Sequence, residues 1–133
     1  MLNKLTQRRG GFTLVEIMIV VAIIALLAAI AVPGFLRARK RSQASRIMND
    51  LRLISAAVDQ YAIENNKRGE DTVPIAAWTQ YLKKDTALYN TGKDLFGNSY
   101  SDQVVDTIPS VPAAAFETLS DVAPSTYWAP YYR

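Results

Sequence analysis

Residues 12–36 read FTLVEIMIVVAIIALLAAIAVPGFL, with one charge, Glu16, in 25 positions. From Ile17 to Val32 no side chain is polar. A helix of this length is about 37 Å long, enough to cross a hydrocarbon core of about 30 Å. A helix that is apolar on every side needs lipid or other helices around it. The rest of the 133 residues is too short and too polar to enclose it, so a membrane-crossing helix is the reading over a core helix of a soluble domain. A secretory signal would be shorter and followed by a small-residue cleavage site. Here Pro33-Gly34 and the basic residues Arg37, Arg39, Lys40 and Arg41 follow instead, and removal on that side is not expected. Charge gives an ambiguous orientation: Lys4, Arg8 and Arg9 precede the span, and a bare count favours a cytoplasmic C-terminal part.

Beyond the span the apolar pattern changes. Ala44, Ile47, Leu51, Ile54, Val58 and Tyr61 recur at spacings of three and four, with Asp50, Arg52, Asp59, Gln60 and Glu64 mostly between them. That is one apolar stripe on a helix, ended by Asn65-Asn66 and Gly69. Joined to the span it makes a helix of roughly 50 residues, about 80 Å long. Pro33 removes a backbone donor and crowds the preceding turn, so a bend or local melting is expected there. The stripe reads as core packing. The basic group Arg37, Arg39, Lys40, Arg41 and Arg46 has three readings: a solvated face and lipid-headgroup anchor, a contact for acidic groups of neighbouring chains, or a nucleic-acid contact. Nucleic acid is the least favoured, because no aromatic residue interleaves the cluster.

Residues 67–133 hold five of the six prolines and run in short segments. Pro74 opens a predicted short helix from Ile75 to Lys83. Residues 94–106, DLFGNSYSDQVVD, read as a turn at Gly97-Asn98 between two short extended segments. A second short helix is predicted from Ser110-Val111-Pro112 to about Leu119. Aromatic residues such as Phe96, Tyr100, Trp128 and Tyr131 read as core and interface packing rather than as an electron path.

Histidine and cysteine are both absent. No thiolate nucleophile, disulfide framework, zinc knuckle or Ser-His-Asp triad can be built from this chain alone. Only carboxylate, Ser-Lys or Tyr chemistry remains for an enzyme, and no such constellation stands close in sequence. Non-enzymatic function is expected.

Residues 8–16, Arg8-Arg9-Gly10-Gly11-Phe12-Thr13-Leu14-Val15-Glu16, resemble the processing site of type IV prepilins and type II secretion pseudopilins. The resemblance implies that a membrane aspartyl peptidase cuts between Gly11 and Phe12, that Phe12 is then N-methylated, and that Glu16 is the family's characteristic glutamate. It extends to Pro33, at the place of the family's helix-bending proline, and more loosely to about Asn66. Physical chemistry is consistent with it. Gly11 lets an extended backbone enter a protease cleft without steric cost. Glu16 would cost about 2.5–3.5 kcal/mol at the bilayer centre. The Phe12 amine freed by cleavage, mostly protonated at neutral pH, is a partner for it on a neighbouring subunit, against the alternative of a glutamate that snorkels to the interface. Loss of residues 1–11 removes three of 15 basic residues and leaves 12 against 12 acidic ones, so the net +3 belongs to the leader.

Asp94-Leu95-Phe96-Gly97-Asn98-Ser99-Tyr100 is similar to the D-P-W-G-N-P-Y element of major pseudopilins. Ala25 departs from the family's frequent glycine. Asp94, Asn98, Asp102 and Asp106, spaced by four, have two readings: turn and surface side chains, or a calcium loop of the kind major pseudopilins use. Calcium takes about six to eight oxygens, and the family's glycine-rich ligand loop is not evident. No cofactor is expected.

The fold expected is α+β and pilin-like: a leader over 1–11, a transmembrane and filament-core helix over 12–36, its amphipathic continuation over 37–66, and a small headgroup over 67–133. The expected function is a major-type pilin that polymerises into a type IV pilus-like filament. The alternative is the major pseudopilin of a type II secretion system, and more remotely a monomeric membrane-anchored binding module. The resemblance implies as partners identical subunits, a prepilin peptidase and methyltransferase, and an inner-membrane assembly platform with its ATPase. The precursor would sit in the inner membrane with its N-terminus cytoplasmic, and the mature chain in a surface filament or periplasmic pseudopilus.

Overall fold

The computed structural model describes residues 10–132. Lys4, Arg8 and Arg9 of the expected leader lie outside them. The described chain opens on one long helix, α1 (Leu14–Glu64), with Pro33 in its interior and helical backbone on both sides of it. The chain divides into two compact units, one ending at Leu36 and the other beginning at Arg37.

In the first unit every described residue is exposed. Leu14 and Ile30 keep more than 70% of their surface, at 78% and 72%. A helix with this composition and no protein cover is long and apolar enough to cross a membrane.

The second unit is built around the C-terminal half of α1. Ala44, Ile47, Leu51, Ile54 and Val58 of the apolar stripe are buried. Tyr61, its last member, is half-buried and meets Tyr81 edge to face at 6.0 Å. Trp78, Leu88, Leu119 and Trp128 belong to the same core. Helix α1 stops at Glu64, and Asn66 takes a left-handed φ of 51°, a conformation that asparagine tolerates and that ends helices.

The remaining elements are short. β1 (Thr72–Val73) pairs antiparallel with β2 (Gln103–Val104). α2 (Ile75–Trp78) tightens into a 3₁₀ turn over Thr79–Tyr81, so the predicted helix stops short of Lys83. α3 (Ala87–Thr91), α4 (Ala113–Leu119) and α5 (Ser125–Trp128) complete the unit. The turn expected at Gly97-Asn98 is present, with Gly97 at φ 87° and a single bridge between Lys93 and Ser99. Its second arm does not extend that hairpin; it pairs with β1, well before it in sequence. Asp94 explains the tightness of the turn. Its Oδ1 accepts from the backbone N–H groups of Phe96 and Asn98, both at 2.8 Å, and its Oδ2 from Asn98 Nδ2 at 2.9 Å.

Tyr100 leaves this turn buried and donates its hydroxyl to Asp50 Oδ2 on α1 at 3.1 Å. Burial raises the Asp50 carboxyl above its ordinary 3.8, against the lowering effects of the Tyr100 hydrogen bond and of Arg46. The folded chain thus holds this proton more tightly than the unfolded one. The charged form costs stability above the raised value, and the cost vanishes as pH falls through it and below 3.8. Asp50→Asn keeps an acceptor for Tyr100 and carries no charge. The detergent-solubilised variant should melt above the wild type at neutral pH, with the difference closing in acid. A lower melting temperature at neutral pH would contradict this account of Asp50.

Candidate functional site: the start of the apolar helix

Gly10, Gly11 and Phe12 lie ahead of the helix, exposed and outside any regular structure. A Cβ built on either glycine would meet nothing within 4 Å. The helix then starts abruptly. Thr13 and Glu16 form a reciprocal pair: the Thr13 N–H donates to Glu16 Oε2 at 3.0 Å, and the Glu16 N–H donates to Thr13 Oγ1 at 3.2 Å. This is a capping box, in which a threonine N-cap and a glutamate three residues on each satisfy an amide that the helix leaves unpaired. The Ile17 N–H reaches the Thr13 carbonyl at 3.3 Å and closes the first turn.

Two chemical consequences follow. The Gly11–Phe12 bond stands outside the hydrogen-bonded ladder, in backbone that a protease can bind extended. The cap also fixes the Glu16 carboxylate at the helix N-terminus, where the dipole favours a negative charge. The cap engages Oε2 and, among the described residues, leaves Oε1 without a hydrogen-bond donor. The sequence reading assigned Glu16 to assembly and missed its bond with Thr13, although Thr13-x-x-Glu16 before an apolar run is a readable signature.

Pro33 sits 20 residues downstream of Thr13 on the same helix and takes no part in this cluster. The basic group divides: Lys40 Nζ pairs with Asp121 Oδ2 at 2.9 Å, the only ion pair among the described residues, while Arg37, Arg39 and Arg41 are exposed.

Three of the side chains weighed for calcium sit in separate surroundings. Both Asp94 oxygens are taken by N–H donors. Asp102 Oδ1 accepts the Ile75 N–H at 3.0 Å, and Asp106 lies against Gly69. Among the described residues no three acidic side chains gather where a metal ion could be held.

Comparison with known proteins agrees with the geometry of the N-terminal segment. Residues 6–32 match the family described as "Prokaryotic N-terminal methylation motif". The chain is 45% identical over 60 residues to the type IV major fimbrial protein FimA of Dichelobacter nodosus, covering 45% of this chain and 38% of that protein. It is 34% identical over 61 residues to the type II secretion system core protein G of Klebsiella pneumoniae, covering 46% and 44%. It is 40% identical over 65 residues to the type IV major pilin protein PilA of Myxococcus xanthus, covering 49% and 30%. No solved structure matches. The likeness to the pilin and pseudopilin superfamily therefore spans less than half the length of each of these relatives. In that region the chain carries the superfamily's prepilin-type segment.

Proposed function

We propose that this chain is the structural subunit of a helical filament, a major-type pilin of a type IV pilus-like fibre. Its precursor sits in the inner membrane through residues 12–36, with residues 1–11 on the cytoplasmic side. Cleavage between Gly11 and Phe12 and N-methylation of Phe12 produce the mature subunit. The apolar helix then passes from lipid into the filament core, and the unit from Arg37 onward forms the surface. The observation that carries this reading is the uncovered apolar helix whose capping box begins it just after the Gly11–Phe12 bond.

Lipid is as apolar as the filament core, so extraction gains little from the hydrophobic effect. An assembly platform and ATPase are the partners that reading requires, after a peptidase and methyltransferase. Glu16 and the freed Phe12 amine would pair between neighbouring subunits, and Pro33 would supply the helix bend. Nucleic acid, metal and catalysis have no part in it.

A periplasmic pseudopilus for protein export is the second reading. The 34% identity to a secretion-system core protein and the Asp94–Tyr100 turn support it. Location separates the two. Detection of the mature chain in fibres sheared from the cell surface supports the pilus; confinement to washed membranes supports the pseudopilus. Gly11→Val should leave the precursor uncut, with loss of more than about 90% of mature chain on an immunoblot, because a branched side chain must then occupy the cleft. Normal maturation of that variant would remove Gly11 from the cleavage site.

A further inference from the structure

From Ile17 to Asn49 the chain carries five basic residues and no acidic one, and four of the five stand together as Arg37, Arg39, Lys40 and Arg41. All four belong to the second unit, which begins at Arg37, and Arg37 follows directly on the apolar segment. The fold uses one of them internally. Lys40, four residues before Ala44 at the start of the buried stripe, meets Asp121 Oδ2 at 2.9 Å. The Lys40 hydrogen bond, and to a lesser degree the Arg37 charge, hold the Asp121 carboxyl below its ordinary range. Arg37, Arg39 and Arg41 are exposed, and their guanidinium groups have no ion-pair partner among the described residues. Arg46, further along α1, faces Asp50 instead.

The placement of the four cations is that of a collar and not of a stripe. At about 100° per residue, Arg37, Arg39, Lys40 and Arg41 point to roughly 0°, 200°, 300° and 40° around the helix, so no half of its circumference lacks a cation. From Arg37 to Arg41 the helix rises about 6 Å, close to the about 5–8 Å that a headgroup layer adds on each side of a bilayer core. The apolar residues 17–36 before them would rise about 30 Å, the thickness of that core. A nucleic-acid duplex meets one side of a helix. A layer of lipid headgroups meets every side at one depth. Arginine also suits the task, because its planar fork donates two parallel hydrogen bonds to one phosphate.

The structure assigns Arg37, Arg39 and Arg41 to the phosphates of acidic phospholipids in the leaflet from which α1 emerges. In the orientation proposed above this is the periplasmic leaflet. The inference rests on the membrane-spanning reading and adds a lipid class and the residues that select it. Lys4, Arg8 and Arg9 leave with the leader, so the collar becomes the cationic anchor of the mature subunit.

The test is native mass spectrometry of the detergent-solubilised full chain, offered equal amounts of phosphatidylglycerol and phosphatidylcholine. The wild type should retain the acidic lipid at least about fivefold over the zwitterionic one, with the preference weakening as salt is raised. The triple variant Arg37→Gln, Arg39→Gln, Arg41→Gln should lower that preference at least about threefold. Both chains keep the leader cations, so the difference reads the collar alone. Lys40→Gln should change it by less than about twofold, because Asp121 already answers that charge. Equal retention of the two lipids by the wild type, or an unchanged preference in the triple variant, would overturn the assignment. Lost filaments in a triple variant with unchanged lipid preference would give the arginines to a neighbouring chain instead. Release of the wild-type chain from cell membranes by alkaline carbonate would overturn the membrane-spanning reading itself; a chain that stays in the membrane yet shows no lipid preference overturns the collar alone.

Discussion

Glu16→Gln should leave leader removal intact and reduce filament yield to the limit of detection. Glutamine still accepts from the Thr13 N–H and preserves the capping box, so the helix start is unchanged. What it loses is the charge that the account pairs with the Phe12 amine of a neighbouring subunit. Breaking one side of a buried ion pair costs about 3–5 kcal/mol, and a filament repeats that loss at every subunit. Thr13→Val makes the opposite cut. It removes the Oγ1 acceptor at 3.2 Å, costs about 1 kcal/mol of helix end and keeps the carboxylate. Its filament yield should stay within about twofold of wild type. Normal assembly of Glu16→Gln with loss of assembly in Thr13→Val would show that Glu16 serves the helix cap and not the contact between subunits.

Trp128→Ala should destabilise the headgroup by about 3–5 kcal/mol, the range for removing a buried aromatic side chain. That is a large share of the about 5–15 kcal/mol that holds a domain together. Trp128 is fully buried and its Nε1 donates to the Ala123 carbonyl at 3.0 Å. Trp78 is equally buried, yet its Nε1 has no partner among the described residues. Phenylalanine substitutions therefore separate the two sites. Trp128→Phe loses packing and strands an acceptor, while Trp78→Phe loses packing and removes an unpaired donor, a difference of about 1 kcal/mol. Thermal unfolding of the detergent-solubilised chain should rank Trp128→Phe below Trp78→Phe. The reverse order would mean that the Trp128 bond contributes nothing.

The long helix was readable because its signals are periodic and dense. Sixteen apolar residues from Ile17 to Val32 admit few alternatives, and the stripe positions Ala44, Ile47, Leu51, Ile54 and Val58 are all buried, with Met48, Ala57 and Ala62 beside them that the stripe did not name. The headgroup was less legible because its elements run two to seven residues, too short for a period to declare itself. α3 did carry local signals: the Thr86 hydroxyl caps it by accepting from Tyr89 N–H at 3.2 Å, and Gly92 ends it at φ 60°. A Cβ at Gly92 would fall 2.6 Å from Ile75 Cγ2, a tertiary constraint invisible in sequence. The β1–β2 pairing joins residues about 30 positions apart, and two-residue strands give no pattern by which to predict it. At the candidate site, Gly11, Phe12 and Glu16 were visible through resemblance. The Thr13 cap was visible through helix chemistry, which the reading of Glu16 as an intersubunit group passed over.

The most direct test of the account is the intact mass of the chain recovered from washed membranes and from sheared surface fibres. The account predicts a mature species that begins at Phe12 and carries one additional methyl group, with the full-length mass confined to the precursor pool in the membrane. A chain that retains Met1–Gly11 in every fraction would contradict it.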